Sequence, residues 1–142
     1  MVIFDTGPIV AAAITKDAAY HACNELLTGL RLAKRRLLLP ATVTAEVGYL
    51  LNHYGDARVE ARFLQGVADG DFEPIDLIPE DYARISELVG KYADLPLGTT
   101  DASVIALSER LGVSEVATLD RRHFTVVRPR HTDALTLLPE RF

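Results

Sequence analysis

The chain has 142 residues, of which 49% are hydrophobic and 25% are charged, and its formal net charge is −5. This length suits one domain with a full hydrophobic core, so residues 1–142 are predicted to form a single domain. The acidic balance argues against broad, sequence-independent coating of nucleic acid, but it leaves a local nucleic-acid site open.

The cysteine content and the hydropathy of the sequence indicate the cellular compartment of the protein. The single cysteine, Cys23, cannot form an internal disulfide, which is typical of a reducing environment. No apolar segment approaches the roughly 20 residues that a membrane-spanning helix needs. No secretory signal is recognisable, since Asp5 interrupts the first apolar run. The protein is therefore predicted to be cytoplasmic and not embedded in a membrane.

Short apolar strands alternate with helical segments along the chain. In chain order, the sequence predicts a strand at 2–4, helices at 9–14 and 18–32, a strand at 37–39, helices from 41 or 42 and at 57–68, a strand at 72–75, helices at 79–92 and from 99 or 100 to 111, and strands at 116–119 and 135–138. This alternation predicts an α/β fold with a mainly parallel sheet covered by helices.

Four acidic residues stand in positions that predict an inward orientation. Asp5 and Asp120 end the first and fourth predicted strands, and ligands of open α/β sheets bind at the carboxyl ends of strands. Glu46 shares a helix face with the apolar Val43, and Asp101 lies near the start of its helix. Two strand ends and two helices could therefore bring four carboxylates to one crevice.

Carboxylates are costly to bury unless something replaces the lost water. A divalent cation would do so, and a set of oxygen ligands favours Mg²⁺ or Mn²⁺. Taken singly, Asp101 could instead be an acid that stabilises a helix N-terminus, and Asp120 could be a turn residue in a salt bridge. The hypothesis of a metal site depends on all four residues together.

The residues around these acids resemble the PIN-domain family and, more narrowly, VapC-type ribonuclease toxins. The resemblance covers essentially the whole chain. It is carried by four segments: Val-Ile-Phe-Asp-Thr-Gly at 2–7, Glu46 after Leu-Pro-Ala, Thr-Asp-Ala at 100–102, and Thr-Leu-Asp-Arg-Arg-His-Phe at 118–124. The last of these is the most specific.

The resemblance implies a PIN-like domain with a five-stranded sheet flanked by helices, and Mg²⁺- or Mn²⁺-dependent endoribonuclease activity. It implies that a quartet of acids is catalytic and binds the metal, namely Asp5, Glu46, Asp101 and Asp120. Thr6, Thr118 and Asp94 match supporting positions. It further implies a VapB-type antitoxin as partner of a toxin–antitoxin pair, and a homodimer.

An acidic quartet repels RNA, so basic side chains must offset its charge. Residues 121–142 contain five arginines but only two acids. Arg121 and Arg122 are therefore candidates for contacts to RNA phosphates, with Arg128 and Arg130 as further candidates. An ordinary basic surface is the alternative interpretation.

Three other functions stay open at this point. A PIN-domain nuclease outside a toxin pair would carry the same residues. A Mg²⁺-dependent phosphohydrolase is less favoured, because the segment Asp5-Thr6-Gly7 lacks a second aspartate two residues after the first. A non-catalytic module of the signal-receiver type would need an acceptor aspartate after the third strand, and the segment 72–76 matches this poorly.

Overall fold

The computed structural model describes all residues 1–142 and contains a five-stranded, entirely parallel sheet flanked by seven helices. The strands are β1 (Val2–Phe4), β2 (Leu37–Pro40), β3 (Glu73–Ile75), β4 (Glu115–Ala117) and β5 (Thr136–Leu138). The helices are α1 (Thr6–Ala13), α2 (Tyr20–Leu32), α3 (Ala41–Tyr54), α4 (Ala57–Ala68), α5 (Pro79–Lys91), α6 (Thr99–Leu111) and α7 (Arg121–Val126). The predicted α/β fold with five parallel strands is confirmed.

The strand order β3-β2-β1-β4-β5 places the first strand at the centre of the sheet. The chain moves outward from β1 to β2 and β3 on one side, then crosses to β4 and β5 on the other. The order therefore reverses between β1 and β4. Crevices at such reversal points, outside the carboxyl ends of the strands, are the usual ligand sites of open parallel sheets.

The core explains why the central strands are apolar throughout. All three residues of β1 are fully buried, and Leu38 and Leu39 of β2 are nearly so. Parallel strands covered on both faces need continuous rather than alternating hydrophobicity. Side chains of α3 and α6, including Val43 and Ile105, belong to the same apolar cluster.

The structure corrects two boundaries that matter for the site. α1 begins at Thr6, directly after Asp5, rather than at residue 9. Pro8 fits there because the amide hydrogens of a helix's first turn have no partner within the helix. The sequence predicted that Asp120 ends the fourth strand, and this is wrong, because β4 already ends at Ala117. Asp120 instead lies at the N-cap of α7, a helix that the sequence analysis did not predict.

No helix in the structure combines the length and the apolar character that a membrane crossing requires.

Candidate metal centre and active site

Asp5 is held at the centre of the site by the end of β1. Its amide donates to the carbonyl of Ala117, which continues the pairing with β4 by one residue. The side chain is only 5% exposed. A buried strand thus delivers a carboxylate to the point where the strand order reverses.

Thr118 connects Asp5 to Asp120. Its hydroxyl donates to Oδ2 of Asp5 at 2.8 Å and accepts from the amide of Asp120 at 3.0 Å. The residue is fully buried in the loop that follows β4. One hydroxyl therefore fixes both the carboxylate after β1 and the turn that carries Asp120.

The other two acids reach the same groove from helices. Glu46 lies in α3 and Asp101 in the first turn of α6, and both are half-buried. All four acids line one open groove of about 660 Å³, together with Thr6, Gly7, Leu50, Leu119, Arg121 and Arg122. The sequence-predicted quartet therefore lies on a single surface at the carboxyl end of the sheet.

The electrostatics of the groove oppose full ionisation of the acids. Burial raises the pKa of Asp5 to about 7, and the neighbouring charges of Asp101 and Glu46 add to this effect. Hydrogen bonds from Thr118 and from the Thr6 amide only partly counteract it. Burial also raises the pKa of Asp101, against the opposing effect of its contact with His123. The groove thus concentrates negative charge around a carboxylate that is itself buried.

His123 is a component of the site that sequence reasoning missed. Its Nδ1 lies 2.7 Å from Oδ2 of Asp101 and 2.8 Å from Oδ2 of Asp120. Single oxygens of these two acids and a ring nitrogen of His123 lie within 4.8 Å of one another, a spacing that one metal ion could bridge. The sequence carries no signal for this contact, because α7 is too short to show a periodic pattern.

The hydroxyl of Thr6 is a further unexplained polar group in the groove. Thr6 is 6% exposed, and its Oγ1 has no hydrogen-bond partner. Buried polar atoms almost always have one. The acids and this hydroxyl together fit a bound cation and its surroundings, since oxygen donors are what hard divalent ions prefer.

The arginines that follow Asp120 differ in their surroundings. The guanidinium of Arg121 donates to the carbonyls of Pro139 and Glu140 and lies over the ring of Phe142. Arg122 is exposed and has no partner of this kind. Of the two, only Arg122 presents an uncommitted cation at the groove.

Three other candidate residues lie away from the groove. Asp94 is exposed in the loop before α6 and does not line the groove. The side chain of Arg130 pairs with Glu87 at 2.8 Å, and the amide of Arg128 donates to the hydroxyl of Tyr92. The structure does not bring these three residues to the acids.

Comparison with known proteins places this chain in a family. The chain matches the PIN domain over residues 2–128. It belongs to the PIN-domain family, as its sequence motifs predicted.

Individual relatives agree with this assignment. The chain is 28% identical, over 137 residues, to a protein named Ribonuclease VapC26 from Mycobacterium tuberculosis, and the match covers 96% of this chain and 99% of that protein. The predicted resemblance to VapC ribonucleases is confirmed at the level of sequence.

Solved structures share the fold at low sequence identity. VapC20 of Mycobacterium tuberculosis, described as a toxin that cleaves the sarcin–ricin loop, superposes with a TM-score of 0.77 at 15% identity, covering 87% of this chain and 92% of that one. VapBC2 of Rickettsia felis, bound to a fragment of promoter DNA, superposes with a TM-score of 0.66 at 18% identity, covering 96% of this chain and 97% of that one. FitAcB of Neisseria gonorrhoeae superposes with a TM-score of 0.62 at 17% sequence identity, over the full length of both chains.

Proposed function

We propose that this protein is a metal-dependent endoribonuclease that acts as the toxin of a toxin–antitoxin pair. The observation that carries the proposal is the convergence of Asp5, Glu46, Asp101 and Asp120 on one groove without a lysine or arginine partner for any of them. Such acids need an external cation to offset their charge. Membership of the PIN-domain family and similarity to a protein named as a ribonuclease support RNA as the substrate.

The four acids would hold Mg²⁺, with Mn²⁺ as a substitute. When bound, such an ion lowers the pKa of a coordinated water and neutralises charge on the scissile phosphate. The residues of the chain supply the positioning. Thr118 orients the carboxylate of Asp5 and accepts from the amide of Asp120, whose side chain in turn caps α7.

Substrate binding has to overcome the negative charge of the groove. Arg122 lies on the rim and has no partner in the chain, so it is the best placed side chain for a phosphate contact. Arg121 contributes positive charge to the same rim, although its guanidinium is held by the carboxyl-terminal residues. Hydrolysis at such a metal site would leave a 5′-phosphate and a 3′-hydroxyl.

The partners follow from the relatives. The name VapBC2 joins a VapB to a VapC component, and this chain resembles VapC, so a VapB-type antitoxin is the proposed partner. A homodimer is proposed from the resemblance to VapC-type toxins, and the cytoplasm is the proposed site of action. All of residues 1–142 are proposed to form one PIN domain, since β5 extends the sheet beyond the last matched residue, 128.

The decisive test is RNA cleavage by the purified protein with Mg²⁺ or Mn²⁺. Separate substitution of Asp5, Glu46 and Asp101 by alanine should remove activity, and EDTA should abolish it in the parent protein. Full activity in all three variants, or cleavage that resists EDTA, would contradict the proposal. Hydrolysis of small phosphomonoesters without RNA cleavage would point to a phosphohydrolase instead.

A further inference from the structure

Helix α3 carries a cluster of exposed aromatic side chains beside the groove of the acids. Tyr49 and Tyr54 are 68% and 63% exposed, and His53 is exposed as well. The rings of Tyr49 and His53 are stacked, with an angle of 9° between their planes, and Tyr54 meets the ring of His53 edge-on. Single exposed rings are ordinary on protein surfaces, whereas a contiguous cluster marks a site of interaction.

This cluster directly adjoins the proposed active site. Glu46 and Leu50 of α3 line the groove of the acids, whereas Ala45 and Tyr49, each the residue before, line a second open cavity of about 400 Å³. Tyr49 lies only about 4.5 Å farther along the helix axis than Glu46. Stacked nucleotides of one strand rise about 3.4 Å each, so an RNA with a phosphate at the acids brings an adjacent nucleotide to this ring.

The second cavity has the chemistry of a site for a base rather than for a phosphate. No lysine or arginine lines it, and the carboxylate of Glu60 would repel a phosphate. A base offers a flat face to the ring and amino groups that an amide or carboxylate oxygen can accept. Unpaired RNA bases are recognised by stacking on aromatic rings and by hydrogen bonds to their edges. The lining residues are Ala45, Tyr49, Asn52, His53 and Glu60.

A second copy of the chain is the competing occupant of this surface. The centre of a stable subunit contact is apolar and depleted of charge, but only Ala45 and Tyr49 among the lining residues are apolar. Covering the cavity with protein would also remove water from the carboxylate of Glu60, whose donor within the chain is the neutral amide of Asn52, at 3.0 Å. A stacked base needs only one face of a ring, so the observations favour RNA.

We propose that the ring of Tyr49, with His53 beside it, stacks on an RNA base next to the cleaved bond. This inference rests on the ribonuclease function proposed above. Stacking would hold the adjacent phosphate in register with the acids. Because every base has a flat face, this contact contributes affinity and register more than a choice of sequence.

Steady-state cleavage of a fluorescent RNA tests the role of the ring. Tyr49→Leu keeps an apolar side chain but removes the ring, so KM should rise about tenfold with kcat little changed. Tyr49→Phe restores the ring and should return KM to the parental value. Tyr82→Leu is the matched control, because Tyr82 is 59% exposed on α5, outside both cavities. A parental KM in folded Tyr49→Leu would overturn the inference.

Abasic RNA locates the partner of the ring. Each nucleoside around the cleavage site is replaced in turn by an abasic residue, and KM is measured with the parent protein and with Tyr49→Leu. One position should raise KM for the parent by about the factor that Tyr49→Leu causes, and should add nothing further in the variant. Losses that simply multiply at every position would overturn the inference.

Two further outcomes separate RNA from a second copy and this inference from the proposed function. Sedimentation equilibrium should give the same oligomeric state for the parent and for Tyr49→Leu. A rise in KM that accompanies dissociation of the parental oligomer would assign the surface to a second copy and overturn the inference. If Asp101→Asn abolishes cleavage but Tyr49→Leu leaves KM unchanged, the ribonuclease function stands without the stacking contact. A parent protein that cleaves no RNA with Mg²⁺ or Mn²⁺ would overturn both.

Discussion

Two regions of this molecule bury acidic side chains, and they treat them in opposite ways. On the face formed by α5 and α6, Asp81 is 2% exposed and is bound by the guanidinium of Arg110 through both of its oxygens, at 3.0 and 3.1 Å. In the groove, Asp5 is 5% exposed and has only a hydroxyl and an amide as donors. Similar burial is thus compensated by the chain in one place and not in the other.

The pKa of Glu109, on the ion-pair face, shifts in the opposite direction to that of Asp5. Partial burial opposes its ionisation, but hydrogen bonds and charges from Arg84 and Arg130 outweigh this effect and lower its pKa. Burial and neighbouring acids raise the pKa of Asp5 instead. An acid that is neutralised within the chain is part of the structure, whereas an acid left without a base is available to a ligand.

The largest expected difference between the regions is in catalysis. Asp101→Asn should reduce metal-dependent RNA cleavage by roughly 100-fold or more, because the groove would lose a charge that positions the cation. Asp81→Asn is the matched substitution on the ion-pair face and should leave the cleavage rate per folded molecule unchanged. Steady-state cleavage of a fluorescent RNA measures both variants, and equal losses would remove the distinction between the regions.

The next largest effect is on stability, and it is expected on the ion-pair face rather than in the groove. Arg110→Ala leaves Asp81 buried without its partner and should lower the free energy of unfolding by about 2–3 kcal/mol, a value reduced because Arg110 is itself partly exposed. Urea unfolding followed by circular dichroism measures this. Arg36→Ala breaks a pair with Glu73 in which both side chains are largely exposed, and it should cost much less. Similar losses in both variants would show that burial does not set the strength of these pairs.

A third prediction concerns pH in the metal-free protein. Because the pKa of Asp5 rises from 3.8 to about 7 on folding, folding disfavours its charged form. The stability associated with protonated Asp5 is complete below pH 4 and is lost as the pH rises towards 7. The free energy of unfolding of Asp5→Asn, relative to that of the parent, should therefore increase by on the order of 1–2 kcal/mol when the pH is raised from 4 to 8. This is less than the full shift in pKa implies, because the groove admits water.

Thermal unfolding in EDTA at both pH values measures this gain. Added Mn²⁺ should stabilise the parent protein and not the Asp5→Asn variant. A difference between the two proteins that does not change with pH would contradict an ionisation penalty at Asp5.

The smallest expected effect distinguishes the two arginines on the rim. Arg122→Ala should slow cleavage a few-fold and reduce the slope of log rate against log salt by about 1, as for the loss of one phosphate contact. Arg121→Ala should act mainly on the carboxyl-terminal residues that this side chain holds. An unchanged salt slope in Arg122→Ala would count against a phosphate contact.

The sequence predicted the groove acids for reasons that are local. Asp5 directly follows a buried apolar strand, and Glu46 lies among apolar residues at helical spacing. In both cases the periodicity that defines the element also defines the direction of the side chain. The parallel order of the strands then brings these elements to one edge.

The sequence could not predict α7 or the position of His123. The helix has six residues, too few for a periodic pattern, and it ends in Thr125 and Val126, which are poor helix formers. The contact of His123 with Asp101 links α7 to the first turn of α6, so it depends on how these helices pack. Such contacts follow from tertiary packing and leave no spacing in the sequence to read.

The most direct test of the contrast is calorimetric titration of Mn²⁺ into three proteins: the parent, Asp101→Asn and Asp81→Asn. The account predicts saturable binding to the parent, loss of binding in Asp101→Asn, and retention of the parental affinity in folded Asp81→Asn. Binding of equal strength in all three would contradict the central claim that the groove acids, which have no lysine or arginine partner, form the metal site.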